Sequence, residues 1–146
     1  MNTLTPITWL LPVDGSAHAL NAVRAGIVEA RQMQAPVRFI LLNVQSPLSK
    51  DISRFIDANT LDEYHRDNAE EALQSTKALL DASGFSYEMR VLLGEPAATI
   101  AECARTEHCA RIVMGARGLG SVIGLLLGSI TTKVVHLASV PVLLVK

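Results

Sequence analysis

Gly115-Ala116-Arg117-Gly118 and, after nine further residues, Gly128-Ser129 are the groups in this chain best suited to hold an anion. Five of its nine glycines fall between 115 and 128. The loop follows the apolar pair Val113-Met114 and leads into Ile130, Val134, Leu137 and Ala138, whose spacing predicts a helix. A strand, a loop free to adopt positive φ and a helix N-terminus together build an anion site from backbone N–H groups. The stretch therefore reads as the phosphate end of a nucleotide site. Ser129 can add a hydroxyl donor. Arg117 is the only cation in the loop, a solvated loop arginine being the alternative reading.

Two common phosphate motifs do not describe this loop. There is no G-x-x-x-x-G-K-[ST], and the nearest lysine, Lys133, falls within the predicted helix. Gly118, Gly120 and Gly124 give G-x-G-x-x-x-G, one residue off the dinucleotide fingerprint and after the wrong strand.

The elements that must position this loop follow from the hydrophobic pattern. Ile7 to Val13 is a buried first strand, with Pro12 tolerable only where its pairing stops. Asp14-Gly15 turns, and Ser16 caps a helix carrying Leu20, Val23, Ile27 and Ala30. Val37 to Val44 is a near-continuous apolar strand, as in a parallel sheet covered on both faces. Residues 45–59 form a surface loop with room for a helical turn. Thr60 and Glu63 suit a capping box opening a long helix, with Leu61, Tyr64, Ala72, Leu73, Thr76 and Leu80 as its buried stripe. Tyr87 to Leu93 is a third strand near the sheet edge. Pro96 opens the next helix at the permitted first turn, and Ile100, Cys103 and Ala104 face inward. Strands at 112–115 and 140–145 enclose the glycine loop and its helix.

The alternation predicts an α/β fold: an open, doubly wound, five-stranded parallel sheet with helices on both faces. In the order 3-2-1-4-5 the direction of winding reverses between strands 1 and 4. Asp14 and the 115–128 loop then share the crevice where such sheets bind ligands.

Composition narrows the class. One domain over residues 1–146 is expected, and 49% hydrophobic against 18% charged residues marks a globular chain. A net charge of −1 gives no basic surface for nucleic acid. No apolar stretch reaches the ~18 residues of a membrane span, and no charged leader opens the chain, so a soluble, cytoplasmic protein is expected. Cys103 and Cys109 lack zinc spacing and read as small buried side chains. The four histidines, His18, His65, His108 and His136, are scattered over different elements. No catalytic or metal-ligating residue is assigned.

The pattern Gly115-x2-Gly118-x9-Gly128-Ser129 resembles the universal stress protein family, where G-x2-G-x9-G-[ST] marks the ATP-binding members. The likeness extends to Val13-Asp14-Gly15-Ser16 after strand 1, Leu41-Leu42-Asn43-Val44 ending strand 2, and the final Pro141-Val142-Leu143-Leu144-Val145. It implies the adenine nucleotide alpha hydrolase-like form of the fold. It places phosphates against Gly115, Arg117, Gly118, Gly128, Ser129 and Ile130. Asp14 would lie by the adenosine, with Pro12, Val13 and Val44 lining the base pocket. For Asp14 a helix-capping turn is the alternative, and Val44 and Met114 could equally be core residues that end strands.

The implied ligand is ATP, or ADP or AMP, with Mg²⁺ held through the phosphates. The insert Leu119–Leu127 lacks positive charge, which leaves a γ-phosphate thinly neutralised. The last strand, 141–146, would be a bare apolar edge, and the family pairs such strands across a two-fold axis. A homodimeric, nucleotide-binding regulatory switch in the stress response is the resulting expectation. Slow ATP hydrolysis, or a nucleotide-free interaction module, are its alternatives.

Overall fold

The computed structural model describes residues 4–119 and 126–146. Most of the apolar insert Leu119–Leu127, its residues 120–125, lies outside them. The elements run β1 (Ile7–Pro12), α1 (Ala17–Arg31), β2 (Val37–Gln45), α2 (Lys50–Ser53), α3 (Ala58–Ser83), β3 (Ser86–Leu93), α4 (Pro96–Thr106), β4 (Arg111–Gly115), α5 (Ser129–Leu137) and β5 (Val142–Val145). The five strands form one parallel sheet in the order β3-β2-β1-β4-β5. This is the doubly wound order expected from the sequence.

Alternation along each strand sends its side chains to two separate cores. Trp9, Leu11, Phe39, Leu41 and Val113 pack under α1 and α3, through Val23, Ile27, Leu73 and Leu80. Leu10, Ile40, Leu42, Ile112 and Met114 pack under α4 and α5, through Ile100, Ala104 and Val134. Edge-to-face contacts run from Trp9 to Phe39 and on to Phe85, with centroids 6.1 and 5.3 Å apart. Cys103 and Cys109 are buried free thiols. Burial pushes the Cys109 thiol up to about 11, so it behaves as a small apolar group.

The helix α3 begins earlier than its sequence suggests. Asp57, not Thr60, is the N-cap: its carboxylate accepts the Thr60 N–H at 2.8 Å and the Thr60 hydroxyl at 3.1 Å. Two good capping residues stand three apart, and the acid takes the role because its oxygen reaches the first-turn N–H groups. Tyr64, expected inside, is 46% exposed, whereas Ala69 is buried. The helix ends at Gly84, whose φ of +82° is the left-handed conformation glycine adopts without strain.

The pairing of β1 decides where a cleft can open. β1 pairs β2 along all six residues, but its register with β4 comprises only Trp9↔Arg111 and Leu10↔Ile112. The Val13 N–H goes to the Leu42 carbonyl at 2.8 Å. Strand alternation therefore turns the amide position of residue 12 toward β4, and proline has no N–H to give. Beyond that point β1 and β4 part.

One helix end carries local strain. The Cys109 N–H closes on the Ala104 carbonyl at 2.9 Å across the end of α4, which puts His108 at φ +51°. His108 is exposed. His108→Gly should raise stability by about 1 kcal/mol, read from the midpoint of urea unfolding at unchanged slope.

Candidate functional site

Where β1 and β4 separate, side chains take over the hydrogen bonding that the ladder has abandoned. Buried Asn43 donates its amide to the Val13 carbonyl at 2.9 Å and accepts from Gln45 at 2.6 Å. Asp14 then spans the gap. One carboxylate oxygen accepts the Ser16 N–H and the other the Leu119 N–H, each at 2.9 Å. On the far wall, buried Thr131 donates its hydroxyl to the Gly115 carbonyl at 3.0 Å. The Gly128 N–H reaches the Ala116 carbonyl at 2.8 Å, and the Ala116 N–H reaches Val145 at 2.8 Å.

These ties enclose a cleft of about 290 Å³. Pro12, Val13, Asp14, Val44, Met114, Gly115, Arg117, Gly118, Gly128, Ser129 and Ile130, all singled out from sequence, line this one space. Met114 is only 6% exposed and belongs to the second core as well as to the cleft. Asp14 is a turn residue that also latches the loop. Asp14 and Arg117 are the only charged residues lining the cleft among those described.

Gly115 is held by backbone packing, and Gly118 by its contact with the Asp14 side chain. A Cβ on Gly118 would run into the Asp14 carboxylate, and one on Gly115 would lie 2.9 Å from the Arg117 carbonyl and 3.0 Å from His18. Gly128 differs. Its φ of −72° suits any residue, and a Cβ there would find only ordinary contacts, the nearest at 3.4 Å.

Three helix N-termini meet at the cleft, and they are capped unequally. In α1 the Ser16 hydroxyl accepts the Ala19 N–H at 3.1 Å. In α4 the Glu95 carboxylate accepts the Ala98 N–H at 2.8 Å and the Ala97 N–H at 3.3 Å. The Ala98 bond holds the Glu95 carboxyl below its ordinary value of 4.5, so it is an anion at neutral pH. No side chain caps α5, because its N-cap is Gly128. Its first-turn residues Ser129, Ile130 and Thr131 line the cleft with the positive end of the helix dipole behind them.

A parallel sheet with a crevice at its reversal point is common to many proteins. Residues 8–146 match the model of the universal stress protein family. The chain belongs to that family. A Thermus aquaticus universal stress protein, named for its place beside a sulfhydrylase gene, is 34% identical over 95% of this chain and 98% of its own. The solved structure of protein MJ0577 from Methanocaldococcus jannaschii superposes with a TM-score of 0.81 at 29% identity, covering 96% and 95% of the two chains. A crystal structure of a universal stress protein in complex with cAMP does so at 0.64, also with 29% identity, covering 96% and 97%.

Within this universal stress protein the cleft also includes Ala19, Leu42, Ser46, Pro96, Ile100, Leu119 and Thr131, which sequence reasoning missed. Pro96 could have been found: it follows β3, and every strand-to-helix junction of a parallel sheet lies at the same end. Leu119 could not, because it contributes a backbone N–H. As for Mg²⁺, Asp14 is the only carboxylate among the described residues that line the cleft, and each of its oxygens accepts an N–H. The described residues also contain no group of three or more potential metal ligands. A single carboxylate does not by itself make a protein-held Mg²⁺ site, so the expected ion would be held through the phosphates of a ligand.

Asp14→Ala removes two charge-assisted hydrogen bonds that hold the turn and the loop. It should cost about 1–3 kcal/mol of stability and sharply speed amide hydrogen exchange at Leu119, measured by NMR. Unchanged exchange at Leu119 would mean that the latch does not hold the loop.

Proposed function

We propose that this universal stress protein binds an adenine nucleotide in the cleft between β1 and β4, and acts as a ligand-dependent regulatory switch in the stress response. The observation that carries the reading is Gly128. A Ser, Thr, Asn or Asp at an N-cap supplies a side-chain acceptor worth roughly a few tenths of a kcal/mol over Gly, and Gly128 has the backbone geometry for any of them. Glycine leaves the N–H groups of α5 open toward the cleft instead. An anion from outside completes the cap.

In this reading the phosphate lies against Gly115, Arg117, Gly118, Gly128, Ser129 and Ile130. The base and ribose occupy the apolar side by Pro12, Val13, Val44 and Met114, with Asp14 near the ribose. The 29%-identical family structure holding cAMP supports an adenine ligand. Two chains pair through β5, whose apolar residues Val142–Val145 end the sheet beyond β4.

The discriminating variant is Gly128→Asp, which supplies the missing cap. It should raise stability by about 0.5–1 kcal/mol while weakening adenine nucleotide binding at least about tenfold, read by thermal unfolding and calorimetric titration. Unweakened binding in a variant that folds would overturn the site. Sedimentation velocity tests the pairing: a species of two chains is expected, and a monomer at high concentration would refute it.

A further inference from the structure

We propose that a second copy of this chain pairs along β3, antiparallel to it, across a two-fold axis at Met89. This edge is separate from the cleft and from β5, which ends the sheet on the opposite side.

β3 is an edge strand without the usual protection. It pairs β2 residue for residue from Ser86 to Leu93, with no bulge, and contains neither proline nor glycine. Among the described residues, no backbone hydrogen bond joins it to anything but β2. A regular strand of eight residues then presents a row of N–H and carbonyl groups along its outer side, a template for one more strand.

Its two faces differ. Alternation puts Tyr87, Met89, Val91 and Leu93 on one of them. Tyr87 packs on the first core, but Met89, Val91 and Leu93 are 44%, 48% and 56% exposed. The other face carries Glu88 and Arg90, the only charged residues of the strand. Glu88 lies 3.0 Å from Arg38 and 2.9 Å from Arg90, and Arg90 reaches Glu107. Even so, 34% and 29% of the Glu88 and Arg90 side-chain surfaces remain exposed.

The order of these charges names the occupant. A strand that pairs antiparallel with its own copy is centred on a residue, because directly opposed side chains share a face. Centred on Met89, it sets Glu88 against Arg90 of the second copy, and Arg90 against Glu88 of the second copy. Met89 then meets its own counterpart, and Tyr87 meets Val91. Centring on Glu88 or Arg90 would set like charges face to face. Centring on Tyr87 or Val91 would leave both charges opposite uncharged residues. Opposite charges directly across a sheet attract and like charges repel, so one register satisfies both. That register also joins the two exposed apolar strips, and part of each leaves water.

Met89→Cys puts a thiol opposite its own copy, where paired strands hold Cα atoms about 4.5–5.5 Å apart, within disulfide reach. Oxidised glutathione should link two such chains at least about tenfold faster than chains carrying Ser86→Cys, whose counterpart is Leu92. Cys103 and Cys109 are buried in both. Glu88→Arg and Arg90→Glu each set like charges across the seam and should weaken self-association at least about tenfold. Mixing the two variants restores both attractions between chains but no ion pair within either chain. Sedimentation velocity should then show a species at least twice the mass of the largest in either variant alone. Cross-linking of Met89→Cys no faster than of Ser86→Cys, or a mixture no larger than its components, would overturn the proposal. If the charge variants unfold, the cysteine pair, which leaves every charge in place, decides. Neither readout depends on pairing through β5 or on a bound nucleotide.

Discussion

The parting of β1 from β4 after Leu10 and Ile112 is the constraint from which the rest of the site follows. Pro12 cannot donate toward β4, so the central strand of the sheet loses one neighbour while keeping the other. Buried backbone groups still need partners, and an unpaired one costs about as much as a lost hydrogen bond. Asn43 takes the Val13 carbonyl, Thr131 takes the Gly115 carbonyl, and Asp14 takes N–H groups on both sides of the gap. Each polar residue stands at the cleft because the sheet stops there. The same residues fix the mouth of the cleft.

Opening a sheet at its reversal point also gathers helix N-termini, because every crossover helix of a parallel sheet starts at the same end. The chain settles α1 and α4 internally, with a hydroxyl and a carboxylate. It gives α5 no side-chain cap. Hydroxyl and carboxylate caps are common in proteins, so the unequal treatment carries more meaning than the caps do. A glycine whose φ is ordinary, and beside which a methyl group would fit, is explained neither by backbone conformation nor by packing within the chain. Gly115 looks the same in the sequence, yet backbone at Arg117 and His18 would collide with any side chain there, whereas at Gly118 the Asp14 side chain would have to move.

Much of this was legible before any coordinates. Apolar runs at Val37 and Ile112, with helical spacing between, specified a parallel sheet and hence a crevice at the reversal between strands 1 and 4. That topology brings Asp14 and the glycine loop into one space although they lie a hundred residues apart in the chain. What was illegible has two physical sources. Some contacts are made by backbone, as at Leu119, where the side chain says nothing about the bond. Others depend on competition between equals: Asp57 and Thr60 both cap well, and the reach of the Asp57 carboxylate to the Thr60 N–H decides which turn of helix is kept. Packing turns Tyr64 outward and Ala69 inward, because helical spacing fixes a stripe but leaves its rotation about the axis to the neighbours.

The uncapped helix links occupancy to stability in a defined part of the fold. Any ligand that binds the folded chain alone stabilises it, by about 2.7 kcal/mol at a hundred times its dissociation constant. Here the effect has an address. The Ala116 carbonyl holds the Gly128 N–H at the start of α5, and the Ala116 N–H holds the Val145 carbonyl at the end of β5. Thr131, in the first turn of α5, holds the last residue of β4. The first turn of α5, residue 116 and the final strand are therefore tied together by hydrogen bonds. The β3 side of the sheet, with its own ion pairs among Arg38, Glu88, Arg90 and Glu107, shares none of these bonds. A partner that distinguished loaded from empty protein would find the difference at the β5 edge and the loop beside it.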